Sequence, residues 1–292
     1  MEITRLDTHS KIVDAVRSAK LPFIFFATPE MLNTFFNKKN FALYAISEGT
    51  NTYLFVQKEH TKELRLLFAD FPESAIAQLR ETFNPPYIAY NELAQNPEKE
   101  HQVVATEVVV DLEKYISLAD KTIRKQYHQA QKYNHLTFKE FKNIPRSDIE
   151  QFLNDWAQMK QTQHPLFSYT LENDRNFFDK YTEDDFWGIA VYDDKKLVGY
   201  SIAIAIGTQN CVSAFNKCLR GYRNLGLQIS IEKARMAYKK GYTHMNIGTI
   251  NNDFKKHLLP IATTHHLYSY EFWRNENFKT KSPHGYTDVL FF

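Results

Sequence analysis

No uninterrupted apolar run in this chain approaches the about 18 residues that a membrane-spanning helix needs, and Met1–Ala15 lacks the apolar segment of a secretory leader. The expectation is a soluble cytoplasmic protein. Cysteine is scarce: Cys211 and Cys218 lie seven apart on what reads as one extended segment, ~23 Å at about 3.3 Å per residue. That is too far for a disulfide there, and both read as small buried hydrophobes in a reducing compartment. Also missing are G-x-G-x-x-G and G-x-x-x-x-G-K-[ST], so dinucleotide and P-loop readings have no phosphate cradle. The 11 histidines include no H-E-x-x-H, and His265-His266 on an extended segment point to opposite faces, so no metal site is expected. Charge of one sign is lacking too. A net +2 makes no polyelectrolyte binder, DNA is not an expected partner, and any nucleic-acid or membrane contact has to come from a local patch.

What is present is a large core. With 292 residues, 43% hydrophobic and 15% aromatic, the chain is long enough for two ordinary domains. Thr8-His9-Ser10 opens a helix with Ile12, Val13 and Val16 inward. A strand over Phe23–Phe26 and a helix from Thr28-Pro29-Glu30 through Phe36 come next. Short aromatic and β-branched runs at Phe41–Ser47, Tyr53–Gln57 and Leu64–Phe68 predict an antiparallel meander. A helix over Glu73–Phe83 and strands at Tyr87–Tyr90 and Val103–Val110 complete an α+β unit with no Gly-rich loop. This first region is expected to be scaffold or a wall of a substrate groove.

Leu112–Tyr133 reads as a bridge, with Lys121, Arg124 or Lys125, His128 and Lys132 forming a basic stripe opposite apolar Ile123, Tyr127 and Ala130. The second region starts with a strand at His135–Phe141, then a helix with Ile149, Phe152, Leu153, Trp156 and Met159 on one face, and another over Leu171–Tyr181. A hairpin follows, Phe186–Tyr192 with Leu197–Ile206, and then a strand, Asn210–Phe215. Gly199-Tyr200-Ser201-Ile202-Ala203 mimics a nucleophile elbow, but the strand alternation continues past Ser201 and leaves no turn into a helix.

The chemistry gathers between Asn216 and Lys256. Lys217, Arg220 and Arg223 fall at three-residue intervals before Asn224, a plausible N-cap, and Gly226 opens a helix with Leu227, Ile231, Ala234 and Tyr238 on one face. Cations beside a helix N-terminus, with a glycine that lets a phosphate approach the backbone, suit a phosphate-bearing ligand; a capped helix with a solvated basic loop is the plainer alternative. A short strand, His244–Ile247, ends at Gly248, a helix covers Phe254–Leu259, and a strand covers Leu267–Trp273.

Arg223-Asn224-Leu225-Gly226 resembles the start of the R/Q-x-x-G-x-G/A acyl-donor loop of the GNAT superfamily of N-acyltransferases, from which Leu227 and Gln228 depart. The order Ala237, Gly241, Asn246, Gly248, Lys255 or Lys256, Pro260, Thr263, Thr264, His265 or His266 resembles the FemAB-like branch, in which two GNAT-like domains share one chain. The resemblance implies an α+β fold of two GNAT-like domains in tandem, each a mixed, mostly antiparallel sheet flanked by helices. It divides the chain into residues 1–115, a basic linking helix at 116–133, and a donor-binding domain at 134–292. It implies transfer of an acyl or aminoacyl group to an amine on a small molecule or peptide. The co-substrate is a CoA thioester or an aminoacyl-tRNA, tRNA then being a partner, and no tightly bound cofactor is expected. Lys217, Arg220, Arg223, Asn224, Gly226 and Leu227 would bind the donor where Asn210–Phe215 and His244–Ile247 splay. Lys255 or Lys256 would stabilise charge, Asp253 would orient or deprotonate the amine, and Tyr270 would reach the same groove. The tyrosine many GNAT enzymes use as general acid would fall near His257 or Leu258 and is missing, so a catalytically inactive ligand-binding module of the same fold stays open.

Overall fold

The computed structural model of the protein describes residues 1–275, apart from positions 20, 22–23, 25–27, 37–39, 68–70, 93–101, 162–166 and 250–252. The strand expected at Phe23–Phe26 lies outside the described residues. In chain order the elements are β1 (Glu2–Arg5), α1 (His9–Ala19), α2 (Pro29–Phe36), β2 (Phe41–Glu48), β3 (Asn51–Lys58), β4 (Leu64–Leu67), α3 (Glu73–Phe83), β5 (Tyr87–Glu92) and β6 (Gln102–Asp111). Then come α4 (Leu112–Ile116), α5 (Lys121–Ala130), β7 (Thr137–Glu140), α6 (Arg146–Gln161), α7 (Phe167–Lys180), β8 (Trp187–Asp193), β9 (Lys196–Ile206), β10 (Asn210–Cys218), α8 (Leu225–Lys239), β11 (His244–Thr249), α9 (Asp253–Lys256) and β12 (Ala262–Arg274). Among the described residues no helix is long and apolar enough to cross a membrane.

These elements form two compact units, Met1–Thr106 together with the chain from His265 onward, and Glu107–Thr264. In the first, β1, β2, β3 and β4 pair antiparallel in turn, β4 and β5 pair parallel across the α3 crossover, and β12 pairs antiparallel with β5. The second repeats the pattern: β7, β8, β9 and β10 antiparallel, β10 and β11 parallel across α8, and β6 antiparallel to β11. Each is a mixed, mostly antiparallel sheet with helices packed on it. The sixth strands are exchanged, because β6 follows β5 in the chain yet pairs with β11, while β12 follows β11 yet pairs with β5. For that reason the units divide at 106/107 and 264/265 and not at the boundaries 115 and 133 expected from the sequence.

The first unit's core is a set of apolar side chains: Ile46, Phe55, Leu64, Leu66 and Ile88 from the sheet meet Ala75, Ile76 and Leu79 from α3. Tyr44 stacks on Phe55 with ring centroids 5.2 Å apart. In the second unit α8 carries the core, packing Leu227, Ile231, Ala234 and Ala237 onto Val108, Val110, Met245 and Ile247. Gly199 lets that helix sit close to β9, since a Cβ there would meet Ile229 Cδ1 at 2.7 Å.

The expected single bridge over Leu112–Tyr133 is two helices. Asp111 caps α4 by accepting the Lys114 N–H (3.1 Å), and Asp120 caps α5 by accepting the Ile123 N–H (2.8 Å); Leu118 between them has φ 56°. A second N-cap Asp starts a fresh helix because its carboxylate satisfies a first-turn amide that helix continuation would otherwise have to bond. Ile123, Tyr127 and Ala130 are buried, and Tyr127 OH donates to Glu232 Oε1 (2.5 Å) on α8 while Arg235 Nη1 donates to both (2.6 Å each). The opposite face of α5 leaves Lys121, Arg124, Lys125 and His128 exposed, with Lys132 exposed just beyond it.

Candidate functional site

The site is in the second unit, where two parallel strands part. β10 and β11 pair at Asn210↔His244, Cys211↔Met245 and Val212↔Asn246, and there the pairing ends. At that same rung β10 slips against β9 between Val212 and Phe215, and β11 slips against β6 between Asn246 and Thr249. Two irregularities thus fall at one level, and a bulge bends its own strand.

Polar side chains line the parting although the surroundings are core. Asn246, fully buried, donates to Glu107 Oε2 (2.6 Å) and accepts the Gly248 N–H (2.8 Å). From α8, Lys233 donates to Ser213 Oγ (2.5 Å) and to Ile202 O (3.4 Å). No carboxylate pairs with it among the described residues. Burial, with the nearby Lys255 charge, lowers its pKa to about 7, against the opposing pull of Cys211. Lys255 donates to Thr249 O (2.6 Å) at the end of β11, and burial lowers it to about 8 against the pull of Glu107.

Past the parting, β10 runs into a cavity of about 550 Å³ lined by Trp156, Met159 and Lys160 of α6 and by Asn216–Arg223. Among the described residues four cations line it, Lys160, Lys217, Arg220 and Arg223, and no carboxylate does. Its volume is ordinary for a small-molecule site. The loop is held in shape: Tyr133 OH accepts the Arg223 N–H (2.8 Å) and donates to Gly221 O (3.2 Å), the Arg220 N–H reaches Met159 Sδ (3.1 Å), and Tyr222 OH donates to Asp193 Oδ2 (2.5 Å). Gly221, at φ +100°, takes a backbone conformation that side chains oppose. The Arg220 and Arg223 residues remain exposed.

Each expected site residue has a definite place. Lys217 lines the cavity but is buried, paired with Asp174 at 3.1 Å and seated 3.8 Å from the Trp156 ring centroid. Burial pushes Asp174 up and Lys217 down, each partly offset by the other's charge, and Tyr200 OH donates to Asp174 Oδ1 (2.7 Å). Asn224 caps α8 in a left-handed conformation (φ 62°), with Nδ2 donating to Gln129 Oε1 (3.0 Å). The amides just past it are committed: Leu225 N–H to Tyr222 O (3.2 Å), Leu227 and Gln228 N–H to Asn224 O (3.1 Å each), and Gly226 N–H toward the Cys218 sulfur. The amides on which the sequence suggested an anion site thus already have partners within the chain. Leu227 is a core side chain. Tyr238, expected on the inward face, is 43% exposed.

Lys256 is exposed on α9. Asp253 opens that helix and Tyr270 pairs with Tyr90 in the first unit; only their backbones are described. Ser201 is plain strand, its hydroxyl donating to Phe215 O (3.1 Å). Reasoning from sequence missed Trp156, Lys160, Asp174, Glu107, Ser213 and Lys233. Lys233 left a trace, since it falls four residues from both Ile229 and Ala237 on the buried face of α8.

No protein-family model matches the chain, and no curated protein matches it in sequence. Solved structures do. A conserved protein of unknown function from Bacteroides thetaiotaomicron is similar at 12% identity and TM-score 0.69, over 92% of this chain and 99% of that one. FemX is similar at 9% identity and TM-score 0.60, over 93% and 97%. A tandem GNAT protein from the clavulanic acid biosynthesis pathway is similar at 10% identity and TM-score 0.55, over 94% and 99%. The fold is that of tandem GNAT proteins.

Proposed function

We propose that this chain is an N-acyltransferase that moves an acyl or aminoacyl group from a phosphate-bearing carrier, a CoA thioester or an aminoacyl-tRNA, to an amine. The reading rests on one observation: β10 parts from β11 at a double bulge and runs directly into a cavity lined, among the described residues, by cations, aromatics and neutral groups. Arg220 and Arg223 would take phosphate oxygens, with Lys160 adding positive potential, because charge-assisted hydrogen bonds to phosphate are strong and guanidinium suits them geometrically. Acyl transfer to an amine asks mainly for positioning and for donors that meet the developing oxyanion. Lys255, tied to Thr249 O at the end of β11, supplies a cation for that. Lys256 and Asp253 keep the roles the sequence suggested for them.

The tandem GNAT protein described above is named as being without AcCoA, which makes a CoA thioester the first donor to try. Thermal shift with acetyl-CoA against aminoacyl-tRNA decides between them, since a ligand at about 100 times its Kd adds about 2.7 kcal/mol. The Arg220→Ala/Arg223→Ala chain should lose that shift while its own melt stays within about 0.5 kcal/mol, as expected for exposed side chains. No shift with either donor overturns the reading. A shift without turnover on any amine favours a binding module that keeps the fold.

A further inference from the structure

The Ser213–Lys233 pair is a buried polar contact at the strand parting that the proposed function leaves idle. Ser213 is the first residue past the last parallel rung, in the two residues of β10 that bulge against β9, and it retains 9% exposure while Lys233 has none. Lys233 emerges from the middle of α8 with its stem among core side chains and its amine on two oxygens, Ser213 Oγ and Ile202 O. The groups facing that amine are few. β9 offers only a carbonyl, β10 offers Ser213 and the Cys211 thiol, itself pushed up to about 12 by burial, and α9 brings the Lys255 ammonium. An ammonium with no anion beside it is costly in such a site, so burial shifts the balance toward the neutral amine, about half of the population near pH 7. The ammonium donates to Ser213 Oγ; in the neutral form the lone pair takes a donor instead, and among the described residues the hydroxyl in contact is that of Ser213, so the same contact then runs from Oγ to Nζ. A serine hydrogen-bonded to a desolvated neutral lysine is a nucleophile with its base already in place.

We propose that Ser213 and Lys233 are a nucleophile–base pair that takes the acyl group onto Ser213 before it passes to the amine; this rests on the acyl-transfer reading of the same site. As Oγ adds to the acyl carbon, its proton moves to Lys233 Nζ. Collapse breaks the carbon–sulfur or carbon–oxygen bond to the carrier, which leaves with that proton. The incoming amine then adds to the acyl-serine carbon and gives a proton to Nζ, and the ester bond breaks with return of that proton to Oγ. No other co-reactant is consumed.

The test uses p-nitrophenyl acetate, an activated ester with no phosphate, on the full chain. Expected are a nitrophenolate burst of one equivalent, an acetyl group mapped to Ser213 by mass spectrometry, and an acylation rate that rises with pH to a midpoint near the Lys233 value of about 7. Ser213→Ala should carry no acetyl group, and Ser213→Cys should restore the burst. Lys233→Met should slow acylation at least tenfold and remove the midpoint, with thermal melts showing each variant folded. An unmodified Ser213 in the wild type, or acylation indifferent to Lys233→Met, overturns the proposal. Thermal shift with the two donors reads the other claim separately. A shift without acyl-serine leaves donor binding and ends the covalent step, whereas a burst without a shift leaves the pair and ends the donor assignment.

Discussion

The molecule contains the same crossover twice, β4–α3–β5 in one unit and β10–α8–β11 in the other, and the two have diverged in what they bury. In the first, four consecutive rungs pair from Leu64↔Ile88 to Leu67↔Asn91 without a slip, and the buried face of α3 is Ala75, Ile76 and Leu79. In the second, pairing stops after three rungs, both strands slip against their outer neighbours, and the buried face of α8 includes Gln228, Ser230 and Lys233. A continuous ladder over an apolar face pairs its backbone groups and is stable; a broken one over buried polar groups gives up stability and leaves a buried amine beside the end of the ladder. One topology thus serves as scaffold in one place and as a candidate site in another.

The comparison breaks most readily at Lys217. Lys217→Ala leaves Asp174 buried without its cation and should cost about 3–5 kcal/mol in urea unfolding, most of it restored by adding Asp174→Asn. A cost under about 1 kcal/mol would make the second crossover as plain as the first. Next comes Ile76→Ala in α3, expected to cost about 3 kcal/mol through the cavity it leaves, with donor affinity by titration unchanged. Lost affinity would mean that the first crossover is more than scaffold.

The smallest effect is in pH. Lys233 binds its proton less tightly folded, near pH 7, than unfolded, near ~10.4, so between those values the unfolded state holds more protons and stability rises with pH. Wild type should gain about 2 kcal/mol from pH 7 to 9 through this group, and Lys255, lowered to about 8, adds in the same direction. Below pH 7 both states are protonated, and the cost of the buried charge is fully present. Lys233→Met should remove its share and flatten the curve over that window. An unchanged slope would show that Lys233 is already neutral or well solvated in both states.

Much of the second unit was legible because its signals are local. The 3.6-residue spacing of Ile149, Phe152 and Leu153 marked α6, the alternation from Tyr200 marked β9, and Gly241 after Tyr238 marked the end of α8. The basic loop before α8 was visible from charge spacing alone, and it is the loop that lines the cavity. Partners were not visible. Lys217 looked like a free phosphate ligand because nothing near it in sequence announces Asp174, more than forty residues earlier. The amides past Asn224 looked open because a Gly in a first turn resembles a phosphate seat, whereas turn bonds to Tyr222 O and Asn224 O occupy them.

By itself the sequence determined most of the helices and strands and their order, though neither β1 nor the split of the bridge into α4 and α5, and the presence of a cationic loop leading into a helix, since periodicity, caps and charge spacing act over one or two turns of chain. Tertiary structure alone decided the exchange of β6 and β12, the alignment of two bulges at one rung, and the burial of Lys233 against Ser213. Those depend on pairing and desolvation between segments far apart in the chain, where strand register and local dielectric are set by neighbours that no short window contains.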